Sequence, residues 1–112
     1  MIIRPDDSVS IFGIIEGMEG FYTRSGAGPL FPLVQTNERN NNSFWKFPGG
    51  GHELGETLGE CLLRELQEEV HVNVYPPSDE HIIFEERVRH DHVFMVYRVK
   101  YFSGTLTPGH EI

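Results

Sequence analysis

The chain is poor in several things a protein needs for particular tasks. Cys61 is the one cysteine, so no disulfide can form within the chain, and its place within a helix reads as a packing thiol rather than a reactive one. Lys and Arg number 9 against 17 Asp and Glu, a net charge of -8. That balance argues against a general nucleic-acid surface, where affinity comes from clustered basic side chains that displace counterions. No apolar run is long enough to cross a bilayer, and Met1-Ile2-Ile3-Arg4-Pro5-Asp6 lacks the charged-then-apolar order of a secretory leader. The expectation is a cytoplasmic protein without membrane contact. There is no internal repeat and no interdomain linker, and 112 residues hold little more than one core. The chain is therefore read as a single domain over residues 1–112. An anionic substrate would need a metal to bind to so acidic a protein.

What is present concentrates between Gly50 and Val72. Thr57 with Glu60 forms a capping box, so a helix starts at Leu58. Leu58, Leu62, Leu66 and Val70, widened by Leu63, make the stripe of a helix lying on a core. Glu65, Glu68 and Glu69 recur at spacings of three and four, which places them within an arc of roughly 100°. Like charges so placed repel by a few tenths of a kcal/mol per pair. A hard cation such as Mg²⁺ or Mn²⁺, which prefers carboxylate oxygen, reverses the sign of that interaction. Ahead of the helix, Phe47-Pro48-Gly49-Gly50-Gly51 is read as a strand running out into a glycine loop. Backbone without side chains can approach a phosphate or offer a carbonyl to a metal.

Gly50, Glu56, Arg64, Glu65, Leu66, Glu68, Glu69 and Val72 stand at the spacing G-x5-E-x7-R-E-U-x-E-E-x-G-U, and in this the chain resembles the Nudix (MutT-like) hydrolases. Independent placement of the Gly, Glu and Arg positions gives about 10⁻⁶ per window for this composition. The run Trp45-Lys46-Phe47-Pro48-Gly49-Gly50 also resembles the family's approach to its box. His71 stands where the family has glycine, at a point where the helix ends in a left-handed residue, so a small stability loss is expected there.

The resemblance implies a fold, a chemistry and roles. The fold is α/β, a Nudix-type α/β/α sandwich with a mixed sheet. Read along the chain, strands are expected at Val9–Ile15, Leu33–Thr36, Phe44–Phe47, Val72–Tyr75, Ile82–Arg89 and Val93–Phe102. The family's last strand and helix look short or missing here. An exposed sheet face would then be covered by a second copy, by the N-terminal segment or by nothing, and a homodimer ranks first among these. The chemistry implied is Mg²⁺-dependent hydrolysis, with Mn²⁺ as alternative metal, of a nucleoside diphosphate linked to another group: a nucleoside triphosphate or a nucleotide sugar. Glu68 and Glu69 are the expected metal ligands, Glu65 a further ligand or the base, and the Gly50 carbonyl completes the set. Arg64 is expected to pair with Glu56 across the loop. Glu111 is the candidate for an additional acid beyond the box, with Glu85 and Glu86 behind it. Selectivity is assigned to Gly17–Pro29 and Asn37–Ser43. The competing expectation is a non-catalytic Nudix-like domain that binds a nucleotide or a protein partner.

Plain readings accompany the remaining candidates. His90 and His92 have a zinc-compatible spacing but no third ligand, and read as exposed hairpin residues. His52 shapes the loop. Of Phe44 and Trp45, at least one is expected in the core, although both could stack on a base.

Overall fold

The computed structural model describes residues 1–17, 33–37 and 43–105. Its strands are β1 (Ser8–Glu16), β2 (Val34–Asn37), β3 (Ser43–Lys46), β4 (Gly49–Gly51), β5 (Val72–Val74), β6 (Ile82–Arg89) and β7 (His92–Gly104), with one α-helix, α1 (Leu58–Val70), among the described residues. A 3-10 turn over Asp79–His81 leads into β6. The glycine loop expected before α1 contains a strand instead. Gly49, Gly50 and Gly51 pair antiparallel with Phe12, Ile11 and Ser10, because backbone amides can join a sheet edge whatever their side chains.

The central sheet is mixed. β1 runs parallel to β7 from Ser8 beside His92 to Glu16 beside Lys100, and β4 closes one side. On its other side β7 is long enough to pair twice, with β6 along its first half and with β5 at its end. β2 and β3 form a separate hairpin.

Alternation sorts the two faces. Val9, Ile11 and Ile15 of β1 lie beside Val93, Met95 and Val99 of β7, all buried, and α1 covers them with Cys61, Leu62, Leu66 and Val70. Gly13 allows the closest approach: a Cβ there would lie 3.3 Å from a Leu62 methyl. The opposite face carries Phe12, Phe94 and, across from Val96, Phe84. Phe84 and Phe94 are exposed.

The N-terminal segment does not cover that second face. Ile3 packs against the α1-side core, and Arg87 donates to Asp7 and to the Ile2 carbonyl. Residues 18–29 and 38–42 of the two proposed selectivity loops, and Glu111, lie outside the described residues.

Candidate active site

α1 begins as its sequence dictates. The Glu60 amide donates to Thr57 Oγ1 at 3.1 Å and the Thr57 amide donates to Glu60 Oε1 at 2.7 Å, which satisfies two of the donors a helix start leaves open. It ends at His71 with φ 61° and ψ 32°, left-handed as expected. The helix axis thereby carries Glu65 and Glu69 along the edge of the buried stripe, while Glu68 points to solvent.

Two adjacent glycines set β4 under this helix for different reasons. Gly49 has φ 153°, and a Cβ there would fall 2.0 Å from the Ile11 carbonyl oxygen, so only glycine lets β4 meet β1. At Gly50 a Cβ would lie 2.5 Å from the Glu65 carboxylate. The bare backbone of Gly50 is the floor on which Glu65 rests. Beside it, the Gly49 amide donates to Glu69 Oε1 at 2.6 Å.

Arg64 gathers the rest. Its Nε and Nη2 donate to the two oxygens of Glu56 at 3.0 and 2.8 Å, the pairing expected across the loop. Nη1 donates to Glu65 Oε1 at 2.9 Å and to Glu68 Oε2 at 3.3 Å, and Nη2 reaches the Gly51 carbonyl at 3.2 Å. Glu53 stands 3.7 Å away. From the sheet edge, Lys46 Nζ approaches Glu69 Oε2 at 3.6 Å. Five carboxylates thus surround two cations, and the site keeps an excess of negative charge.

The protonation equilibria follow from these neighbours. The Arg64 guanidinium holds the Glu56 carboxyl down to about 2. Glu65 moves the other way: burial raises it first, Arg64 opposes that, and Glu69 and Glu68 raise it further. Cys61, beneath Arg64, is pushed up to about 12 by burial, which makes it an inert packing thiol.

A divalent cation fits this donor set. Glu65 and Glu69 flank backbone that a Cβ would block, and their mutual repulsion is what a cation would relieve. The carboxylates are nonetheless turned toward Arg64 and Lys46, and among the described residues no three His, Cys, Asp or Glu side chains converge on one point. The remaining candidates fall into plainer roles. Glu85 lies 3.5 Å from the Met1 ammonium, and Glu86 is exposed on β6. His92 exchanges a hydrogen bond with Ser10 Oγ at 2.9 Å, and His90 is exposed in the hairpin turn. His52 hydrogen-bonds the Glu56 carbonyl and shapes the loop. Trp45 is 64% exposed and belongs to no core. Lys46 had no role in the sequence reading. The signal was its position at the end of a strand, one residue out of phase with Trp45.

The family signature described as NUDIX domain matches residues 20–112. The chain belongs to the Nudix family. The 8-oxo-dGTP diphosphatase of Proteus vulgaris is 58% identical over 31 residues, which are 28% of this chain and 28% of that protein. Two solved structures share the fold: the E. coli ORF135 protein (TM-score 0.63, 20% identity, 91% of this chain and 66% of that one) and MutT from Aliivibrio salmonicida and Vibrio cholerae (TM-score 0.63, 22% identity, 90% and 71%). The chain thus spans 28% of the Proteus protein and about two thirds of the ORF135 chain. The Nudix sheet and box helix are both present, as the α/β/α architecture requires.

Proposed function

We propose that this Nudix chain is a Mg²⁺-dependent pyrophosphohydrolase acting on a nucleoside diphosphate linked to another group. One observation carries the reading: Glu65 and Glu69 lie against the side-chain-free backbone of Gly50 and Gly49, with Glu68 beside them on Arg64 and more carboxylates than cations around the group. Glu68, Glu69 and the Gly50 carbonyl would hold Mg²⁺ or Mn²⁺, which when bound neutralises the diphosphate and orients the attacking water, with Glu65 either a further ligand or the base. Arg64, tied to Glu56, fixes the helix against β4 and orients Glu65. Raised by burial, Glu65 is suited to take a proton from water. The face bearing Phe12 and Phe94, whose rings meet edge-on at 5.7 Å, offers a base a stacking surface that Lys46 connects to Glu69. Of the two substrate classes, the likeness to a protein named 8-oxo-dGTP diphosphatase favours a nucleoside triphosphate. Exposed Phe84 supports a homodimer as the cover of the part of that sheet face outside the site, which sedimentation would test.

Nucleotide binding without hydrolysis is the second reading, favoured by the position of Arg64 among the carboxylates. The deciding experiment measures phosphate or pyrophosphate release from a nucleotide panel with and without Mg²⁺, in the parent and in Glu65→Gln. A catalytic base predicts turnover lower by ~10² to 10⁴ with nucleotide affinity little changed. A parent that binds nucleotides with Mg²⁺ yet hydrolyses none establishes the binding module instead.

A further inference from the structure

Lys46 ends β3 with its side chain 25% exposed, and it reaches two features that the box residues do not connect. On one side its Nζ lies 3.6 Å from Glu69 Oε2 and donates to the Gly49 carbonyl at 3.3 Å. On the other it stands 5.2 Å from the centroid of the Phe12 ring, at the start of the Phe12 and Phe94 face. Glu69 is only 9% exposed, and its second oxygen is already held by the Gly49 amide. The oxygen that faces Lys46 is therefore the one left for another cation.

Arg64 cannot take the same part. Its donors are committed to Glu56, Glu65, Glu68 and the Gly51 carbonyl. A lysine ammonium has three donors on a flexible stem and acts as a point charge, so it can exchange one oxyanion for another at low steric cost. Among the described residues Lys46 has one carboxylate partner, and it lies between the acidic cluster and the aromatic face.

We propose that Lys46 is a substrate-positioning residue that links metal loading to nucleotide capture. Without metal its ammonium is the counter-ion of Glu69. Once a divalent cation occupies Glu69, the ammonium is released toward the substrate and holds an oxygen of the phosphate chain that runs from the carboxylates to a base on Phe12. This rests on reading the site as one for a nucleotide and a metal, and does not require that hydrolysis follow.

The two halves predict effects of opposite sign. Mn²⁺ binding in the absence of nucleotide, followed by paramagnetic resonance of the free ion, should tighten about 3- to 10-fold in Lys46→Met, because a competing positive charge has gone. Binding of an α,β-methylene guanosine triphosphate in saturating Mn²⁺ should weaken about tenfold. Lys46→Arg, which keeps the charge, should shift both less than Lys46→Met does. A merely structural lysine would weaken both together on substitution. Unchanged or weaker Mn²⁺ binding, or unchanged analogue binding, in Lys46→Met overturns the proposal. Lys46→Gln, with a shorter stem, repeats the test should Lys46→Met not fold. A parent that binds Mn²⁺ and the analogue but cleaves no nucleotide defeats the hydrolase reading alone; a parent that binds neither defeats both.

Discussion

Two arginines of this molecule make the same kind of contact and do different things. Arg87 grips Asp7 with both terminal nitrogens, at 2.8 and 2.9 Å, and spends its other donors on the His90 and Ile2 carbonyls. Asp7 also meets the Arg4 guanidinium at 3.9 Å, so two cations serve one carboxylate. Arg64 grips Glu56 just as closely and then also faces Glu65, Glu68 and Glu53. The first network has no surplus of negative charge and ties the N-terminal segment to β6. The second is short of positive charge, and the shortage is concentrated where Glu65 lies on Gly50. Geometry alone does not separate a clamp from a site; the local sum of charge does.

The largest effect expected to sharpen this contrast is loss of a surplus carboxylate. Glu68→Gln and Glu69→Gln should each reduce turnover by roughly 10³ in steady-state assays. Their stabilities should diverge. Glu68 is 59% exposed with one contact to Arg64, so its variant should melt no earlier than the parent in the absence of Mg²⁺. Glu69 accepts from the Gly49 amide and faces Lys46, so its variant should melt earlier. Near-parental rates in both would remove the carboxylates from the chemistry.

Exchanging the arginines is the next test. Arg64→Met should lower turnover on the order of 10²-fold, as is typical when a residue that orients ligands is lost. Arg87→Met should lower the melting temperature while kcat/KM of the folded protein stays within a few-fold of the parent. The reverse pattern would break the comparison.

A smaller effect concerns the acid titration of the Arg87 network. The Arg87 guanidinium holds the Asp7 carboxyl well below its ordinary value of 3.8. A depressed folded-state value contributes stability that is fully present above about pH 4 to 5 and is lost as pH falls through the folded value. Asp7→Asn should therefore flatten the acid limb of the stability curve and leave the neutral-pH dependence alone, as followed by urea melts between pH 2 and 7. An unchanged acid limb would mean that the pair contributes nothing.

The smallest expected effect lies outside both networks. His71 holds φ 61°, a conformation that costs a residue with a Cβ and costs glycine little. His71→Gly should stabilise by about 0.5 to 1 kcal/mol with activity within a few-fold. An activity loss above tenfold would show that this histidine touches substrate.

Local rules made much of this protein legible. The box helix starts at Leu58 and ends before a left-handed His71, because capping and the four-residue apolar repeat are properties of neighbouring residues. The Glu56 to Arg64 pair was legible through its spacing in the family pattern, and β6 through its β-rich run between turn signals. Pairing partners were not. That Gly49–Gly51 forms a strand depends on Ile11 and Phe12 of β1, and that the N-terminal segment lies on the α1 side depends on Asp7 meeting Arg87, 80 residues away. Nor could the sequence say which cation each acid would face. Arg64 meets Glu65 and Glu68 within α1, but that Glu69 faces Lys46 and Glu65 rests on bare backbone is fixed only when β3 and β4 arrive against the helix. Spacing along one helix decides which acids stand together, and packing between distant segments decides the charge they are left to share.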